Sequence, residues 1–434
     1  MREIIIHNLS ISSMSPLKKS LLFLLFIILM FASYANIINV GPSGDYLTIQ
    51  EAVNAAQNSD EIIVSPGTYL ENVNIGGKNI ILRSTAPTNQ TIVQNTIIDG
   101  NHTNSVVIFS GTENETCILS GFTIRNGRAS SGGGIYGNGT LATIQYNIIT
   151  SNEALGATAS GGGMAQCNGL IQNNIISNNS SIYRGGGISE CQGIVQDNDV
   201  FNNSAEYAGG GIAWCDNMVQ NNRVHDNFAQ GYGGGLYGCW GTVQNNIIYN
   251  NITEGQGGGL HGCAEIVQNN IIINNSAIYG GGMSSCGGYN HTGINRNNTV
   301  YGNSATFIGG GLYSCYGDIT NNILWSNTSS SDPQVGSGDI PTFSCIQDWT
   351  GGGTGNITLD PQFVDTSGSN FHLQITSPCI DAGSNALGLS IDFEGDSRPT
   401  DGVTEPRGDG SDYDIGADEF VESSTKANNW WLWY

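Results

Sequence analysis

The chain has 434 residues, of which 62 are glycine and only 11% are charged, and its formal net charge is −23. That balance argues against nucleic acid or an anionic membrane surface as a partner. So much glycine would suit a low-complexity chain, but here the glycines keep a register, which favours a repeat architecture over disorder.

Residues 1–35 have the pattern of a secretory signal: basic Lys18-Lys19, an apolar run from Leu21 to Phe31, and small-x-small Ser33-Tyr34-Ala35. The apolar run is short for a bilayer span, and an uncleaved anchor is the alternative to a cleaved signal. The expectation is an exported protein, secreted or at the cell surface, beginning near Asn36 and keeping no stable membrane span after signal removal. Residues 36–84 read as a cap and first coils. Ile37 to Val40 is strand-like. Thr48 and Glu51 form a capping box before Ile49, Ala52, Val53 and Ala56, which keep helical spacing. Glu61–Tyr69 and Lys78–Arg83 return to strands.

Residues 85–328 form the repeat array, irregular at first and regular from 129. Gly-Gly-Gly triplets begin at Gly132, Gly161, Gly185, Gly209, Gly233, Gly257, Gly280 and Gly309, at intervals of 29, 24, 24, 24, 24, 23 and 29 residues. The two long intervals imply loops near Glu153–Ser160 and Gly287–Gly293. One residue after each triplet stands an aliphatic residue or Met, as at Ile188, Ile212 and Leu236. Three residues further on stands Cys in seven of the eight copies, as at Cys191, Cys215 and Cys239. Val195, Val219 and Val243, and then Val200, Val224 and Ile248, continue the coil. Short apolar runs broken by Gly and Asn are the pattern of strands and turns, and no helical stripe survives across the repeat. About 24 residues suit a coil of three short parallel strands, with coils stacked ~4.8 Å apart. The expected fold is all-β: a parallel β-helix solenoid, right-handed by the general rule for parallel crossovers. Asn columns (Asn198, Asn222, Asn246; Asn203, Asn227, Asn251) would make amide ladders and take the left-handed corners. Cysteines stacked at strand spacing sit slightly too far apart for disulfides, so buried thiols are expected. Whether Cys345 and Cys379 pair is left open.

Residues 329–422 are a loop-rich solenoid end followed by an acidic region, and 423–434 are a tail. From Asp381 to Glu422 there are twelve acidic residues against Arg398 and Arg407.

Two stretches resemble known families. Gly44–Val53 with Val64-Ser-Pro-Gly-Thr-Tyr69 resembles the amino-terminal end of pectin-lyase-like β-helix proteins, including pectin methylesterases. The glycine-rich coils are similar to that superfamily's repeats. The resemblance implies the fold; the paired Asp, Arg and Gln motifs of pectin methylesterases have no counterpart in this sequence. Asp360–Asp365, Phe371–Leu373, Ser377–Gly383, Asp392–Pro399 and Asp414–Phe420 resemble, in order, the choice-of-anchor domain that follows β-helices in bacterial surface and secreted proteins. That resemblance implies an exported bacterial protein, although Val421 to Tyr434 has no long apolar span or basic tail.

Chemistry-bearing residues are few. The six His fall in no metal-ligand motif, and no nucleophile elbow, phosphate loop or dinucleotide fingerprint is present. Where other coils carry Ile175, Ile247 or Ile271, two adjacent coils carry Asp199 and Arg223, with Asp197, His225 and Asp226 beside them. An acid, a base and a guanidinium on one face would suit a polysaccharide lyase or hydrolase; a surface ion pair is the alternative. A second column reads Phe201, His225, Tyr249, Ile273, Tyr301, Trp325. It would stack sugar rings if it faced outward and open, or else pack as a ladder between coils, and packing is the favoured reading. No cofactor is called for; calcium at Asp401 or at Asp409–Asp414 is a secondary possibility against a solvated acidic turn. The functional expectation is a non-catalytic adhesion or carbohydrate-contacting protein whose partner is a polysaccharide or cell-surface glycan. A lyase or glycosidase on the same fold is the rival.

Overall fold

A computed structural model describes residues 35–421 apart from 264, 289, 386–387 and 403–406. The signal-like segment and the tail lie outside the described residues.

The repeat folds as a parallel β-solenoid. Within one coil the chain passes through Ile188–Ser189, Ile194–Gln196, Asp199–Phe201 and Ser204–Ala205, then returns through the next glycine triplet. Stacking turns these positions into four sheets. Sheet 1 has ten strands, sheets 2 and 3 have twelve each, and sheet 4 has eight. Every pairing within them is parallel and coil-to-coil, as in Val195↔Val219 and Val219↔Val243. The fourth strand was not expected. Ser204–Ala205 is two residues long, too short for alternation to announce it.

The triplet is explained by backbone, not side chains. Gly185 has φ +60°, a left-handed value that glycine adopts without strain. At Gly186 a Cβ would lie 2.4 Å from the Ser204 carbonyl oxygen and 2.5 Å from that of Gly210, so no larger residue fits between coils. Inside, Val195, Val219, Val243, Val200 and Val224 are fully buried in one continuous core, and the cysteine column lies with them. All ten cysteines are buried free thiols, Cys345 and Cys379 included. Burial pushes the Cys117 thiol up to about 12 and holds Cys191 well above its usual range, so both stay protonated.

The two asparagine columns form the expected ladders. Asn198 Oδ1 accepts from both the backbone N–H and Nδ2 of Asn174, each at 3.0 Å. Its own Nδ2 reaches Asn222 Oδ1 at 3.0 Å, Ile171 O at 3.0 Å and Gln196 O at 2.7 Å. Every polar capacity of the buried amide is used. The left-handed corners, however, fall on the residue before each ladder asparagine: Asp197 and Asn221 at φ 54°, Asn202 at 52° and Asp226 at 51°. The ladder residue has to point inward, and the corner is made one position earlier.

One end is closed by helix α1 (Ile49–Ala55), whose Ile49, Ala52 and Val53 are buried in the core. Thr48 caps it through the Glu51 N–H, and the Glu71 carboxylate accepts from Ile49 N and Gln50 N at 2.9 Å each. At the other end the solenoid runs past the last triplet to Cys345–Ile346. The chain then folds back. Phe363–Asp365 and Asn370–Leu373 pair antiparallel, and Phe363, Phe371, Leu373, Ile380 and Ile415 form a second core with Ile271, Ile273 and Ile323 of sheet 3. This C-terminal segment therefore covers the flank of the last coils. Its interior holds Arg398 paired with Glu419 at 3.0 Å, both side chains fully buried.

Candidate functional site

Of the five residues singled out from the sequence, Asp199, Arg223, His225 and Asp226 do meet. Asp199 pairs with Arg223 in register on sheet 3, as does Phe201 with His225. His225 Nε2 lies 3.0 Å from Asp199 Oδ1, and its Nδ1 lies 2.7 Å from Asp226 Oδ2. Arg223 is 3.8 Å from Asp199, and its Nη2 donates to Tyr249 Oη at 3.1 Å. The His225 ring is sandwiched between Phe201 and Tyr249, with centroids 5.0 and 4.4 Å away and rings nearly parallel. Burial, the larger influence, pushes the Tyr249 phenol up despite the opposing Arg223 charge. Asp197 is at the adjoining corner, and burial raises its carboxyl although Asn221 bonds to it.

This arrangement limits the chemistry. Both ring nitrogens of His225 are engaged by carboxylates, so neither is open to a substrate while these contacts hold. His225 is 9% exposed and clamped on both faces, so it braces two carboxylates more readily than it approaches a substrate.

The aromatic column is divided along its length. Phe201, His225 and Tyr249 form the stack just described. Ile273 is buried beneath the C-terminal segment. Tyr301 meets Phe363 and Phe371 edge-on, at 5.9 and 5.2 Å, and Trp325 packs against the same second core. The column is thus a packing seam for most of its length. In the acidic turn, Asp409 accepts from Ser384 Oγ at 2.7 Å, Asn385 N at 3.0 Å and Ser411 N at 3.1 Å, so its oxygens serve the turn itself.

A different cluster lies at the corner where sheet 4 leads into sheet 1. Tyr183 and Tyr207 stack at 5.0 Å, and Tyr207 meets Tyr232 and Tyr237 edge-on at 5.6 and 6.2 Å. Tyr237 stacks on His261 at 5.8 Å. The Arg184 guanidinium sits 3.6 Å from the Trp214 ring centroid and 4.3 Å from that of Tyr183, and its Nη2 donates to Tyr183 Oη at 2.8 Å. Burial holds His261 below its ordinary pKa, which keeps the ring neutral and flat against Tyr237. At Gly238, φ is +60° and a Cβ would lie 2.7 Å from Trp214 Cδ1; the missing side chain gives the indole its seat. Trp240 stands beside it, 56% exposed. Along the neighbouring sheet 4 Phe228 and Ile252 are also exposed. The result is a half-buried aromatic wall spanning successive coils, with Trp240 exposed at its edge. Sequence reading missed it, although a signal exists: Tyr183, Tyr207, Tyr232, Tyr279 and Phe307 all fall one or two residues before a glycine triplet.

The four stacked sheets define the class of protein, a parallel β-solenoid. No family model matches the chain, and no curated protein matches it. Among solved structures it is similar to the pectate lyase Pel9A, with a TM-score of 0.44 at 13% identity over 90% of this chain and 97% of that one. It is also similar to the PL6 family alginate lyase AlyGC, with a TM-score of 0.35 at 13% identity over 79% of this chain and 55% of that one.

Proposed function

We propose that the protein is an exported, non-catalytic β-solenoid that contacts carbohydrate through the wall of Tyr183, Arg184, Tyr207, Trp214, Tyr237 and His261. The observation that carries this reading is the alignment of aromatic faces across consecutive coils. Half-buried aromatic faces edged by exposed Trp240, Phe228 and Ile252 form an apolar surface of the kind that marks a contact site, and rigid aromatic faces supply area at low entropic cost. Sugar rings present C–H faces that stack on such surfaces, and the hydroxyls of tyrosine and the guanidinium of Arg184 offer hydrogen bonds at the rim. The formal charge of −23 opposes polyuronates, so the favoured partner is a neutral glycan. The signal-like start and the choice-of-anchor-like motifs support work outside the cell or at its surface.

The test is retention of the purified protein in native gels cast with neutral or acidic polysaccharides, alongside an assay for reducing ends and unsaturated products. The expected result is retention by a neutral polysaccharide without turnover, lost in Tyr207→Ala and Trp214→Ala and kept in Asp199→Ala. Turnover abolished by Asp199→Ala and Arg223→Ala, in variants with parental circular dichroism, would establish the lyase or glycosidase reading instead.

A further inference from the structure

The C-terminal segment brings together three side chains distant in sequence. His372 comes from the strand Asn370–Leu373, Glu394 from the turn after Asp392, and Asp418 from the last described stretch. His372 Nε2 lies 3.2 Å from Glu394 Oε1 and 3.9 Å from Asp418 Oδ1, and the three ligand atoms all lie within 4.8 Å of one another. Each side chain is largely buried, at 16, 18 and 7% exposure.

The tautomer follows from hydrogen bonding. Asn370 Oδ1 accepts from the His372 backbone N–H at 3.1 Å, which fixes that atom as the carbonyl oxygen. The same oxygen lies 2.7 Å from His372 Nδ1, which must then carry a proton. Nε2 is left facing two carboxylates. An outer partner that protonates Nδ1 and aims Nε2 inward is how proteins orient a histidine ligand. A second observation points the same way. Asp418 is 5% exposed; its Oδ2 accepts from Leu373 N at 3.3 Å, and its Oδ1 faces His372 Nε2 at 3.9 Å. Two carboxylates brought together in the interior beside one imidazole nitrogen favour a cation between them.

We infer that His372, Glu394 and Asp418 bind a divalent cation that staples the hairpin, the Asp392–Asp396 turn and the end of the C-terminal segment. One imidazole nitrogen and two carboxylate oxygens form a mixed set that suits zinc or manganese. Calcium takes oxygen ligands in larger number. The site is separate from the aromatic wall and does not depend on the proposed glycan contact.

The experiment uses the whole chain. ZnCl2, MnCl2 and CaCl2 are titrated calorimetrically into folded protein stripped with chelator, whose thiols are buried. The expected result is one zinc or manganese per chain, bound at least tenfold more weakly by Glu394→Gln and by His372→Gln, with parental circular dichroism. Asn370→Ala, which touches no metal, should weaken binding about 10- to 100-fold. Bound metal should also slow proteolysis after residue 346 in the parent and not in Glu394→Gln. Absence of uptake, uptake equal in parent and Glu394→Gln, or a preference for calcium would each overturn the assignment. In the first case the cluster is an imidazolium held by two carboxylates and nothing more.

Discussion

Glu113, only 1% exposed, is held at a corner by Ser110 N and Gly77 N at 2.9 Å, Gly111 N at 3.0 Å and Ser110 Oγ at 3.1 Å. Burial alone would raise its pKa, but the donors outweigh it and hold the carboxyl below its ordinary value. A depressed acid adds stability that is present above its unfolded pKa and lost as pH falls through the folded one. Glu113→Gln should therefore cost about 1–3 kcal/mol at pH 7. In urea melts the difference from the parent should shrink as pH falls below about 4. A gap that persists at low pH would mean that the carboxylate charge contributes nothing. At this scale the sequence was partly legible. Asp199 and Arg223 stood out because they interrupt an isoleucine column, and register did bring them together. What register could not tell is that His225 would be bonded at both nitrogens, because that depends on rotamers and on the Asp226 corner. Arg184 gave no such contrast, since its neighbours in the column are Ser160, Ala208 and Tyr232.

Among the elements, the solenoid coils could be read from sequence because each column repeats, so one pattern was sampled many times. Sheet 4 and the docking of the C-terminal segment could not. A two-residue strand carries no period, and the docking surface is built from single apolar residues spread over Phe363–Ala417. That segment depends on Arg398, whose Nη1 donates to Glu419 at 3.0 Å and to Asp414 O at 3.2 Å, and whose Nη2 donates to Gly416 O at 2.8 Å. Arg398→Met strands Glu419 and two carbonyls in the interior. Losing one partner of a buried pair costs about 3–5 kcal/mol. The expected outcome is local: limited proteolysis should remove the chain beyond about residue 346 while the solenoid stays resistant. Collapse of the whole protein in one step would show that the segment is not a separate unit of stability.

As a whole, the molecule is a rod of twelve rungs along sheets 2 and 3. At about 4.8 Å per rung it is roughly 53 Å long. Helix α1 closes one end, and the C-terminal segment covers sheet 3 over the later coils. That cover is why the column Tyr249, Tyr301, Trp325 is not an open platform, whereas the sheet 4 to sheet 1 corner keeps a half-buried aromatic wall with exposed Trp240 beside it. Hydrogen exchange measured with and without a retained neutral oligosaccharide separates the two faces directly. Protection should appear at the corners 183–190, 207–214 and 232–240, where the aromatic wall lies, and exchange over 197–201 and 221–227 should be unchanged. Protection confined to 197–201 and 221–227, around Asp199 and His225, would contradict the account.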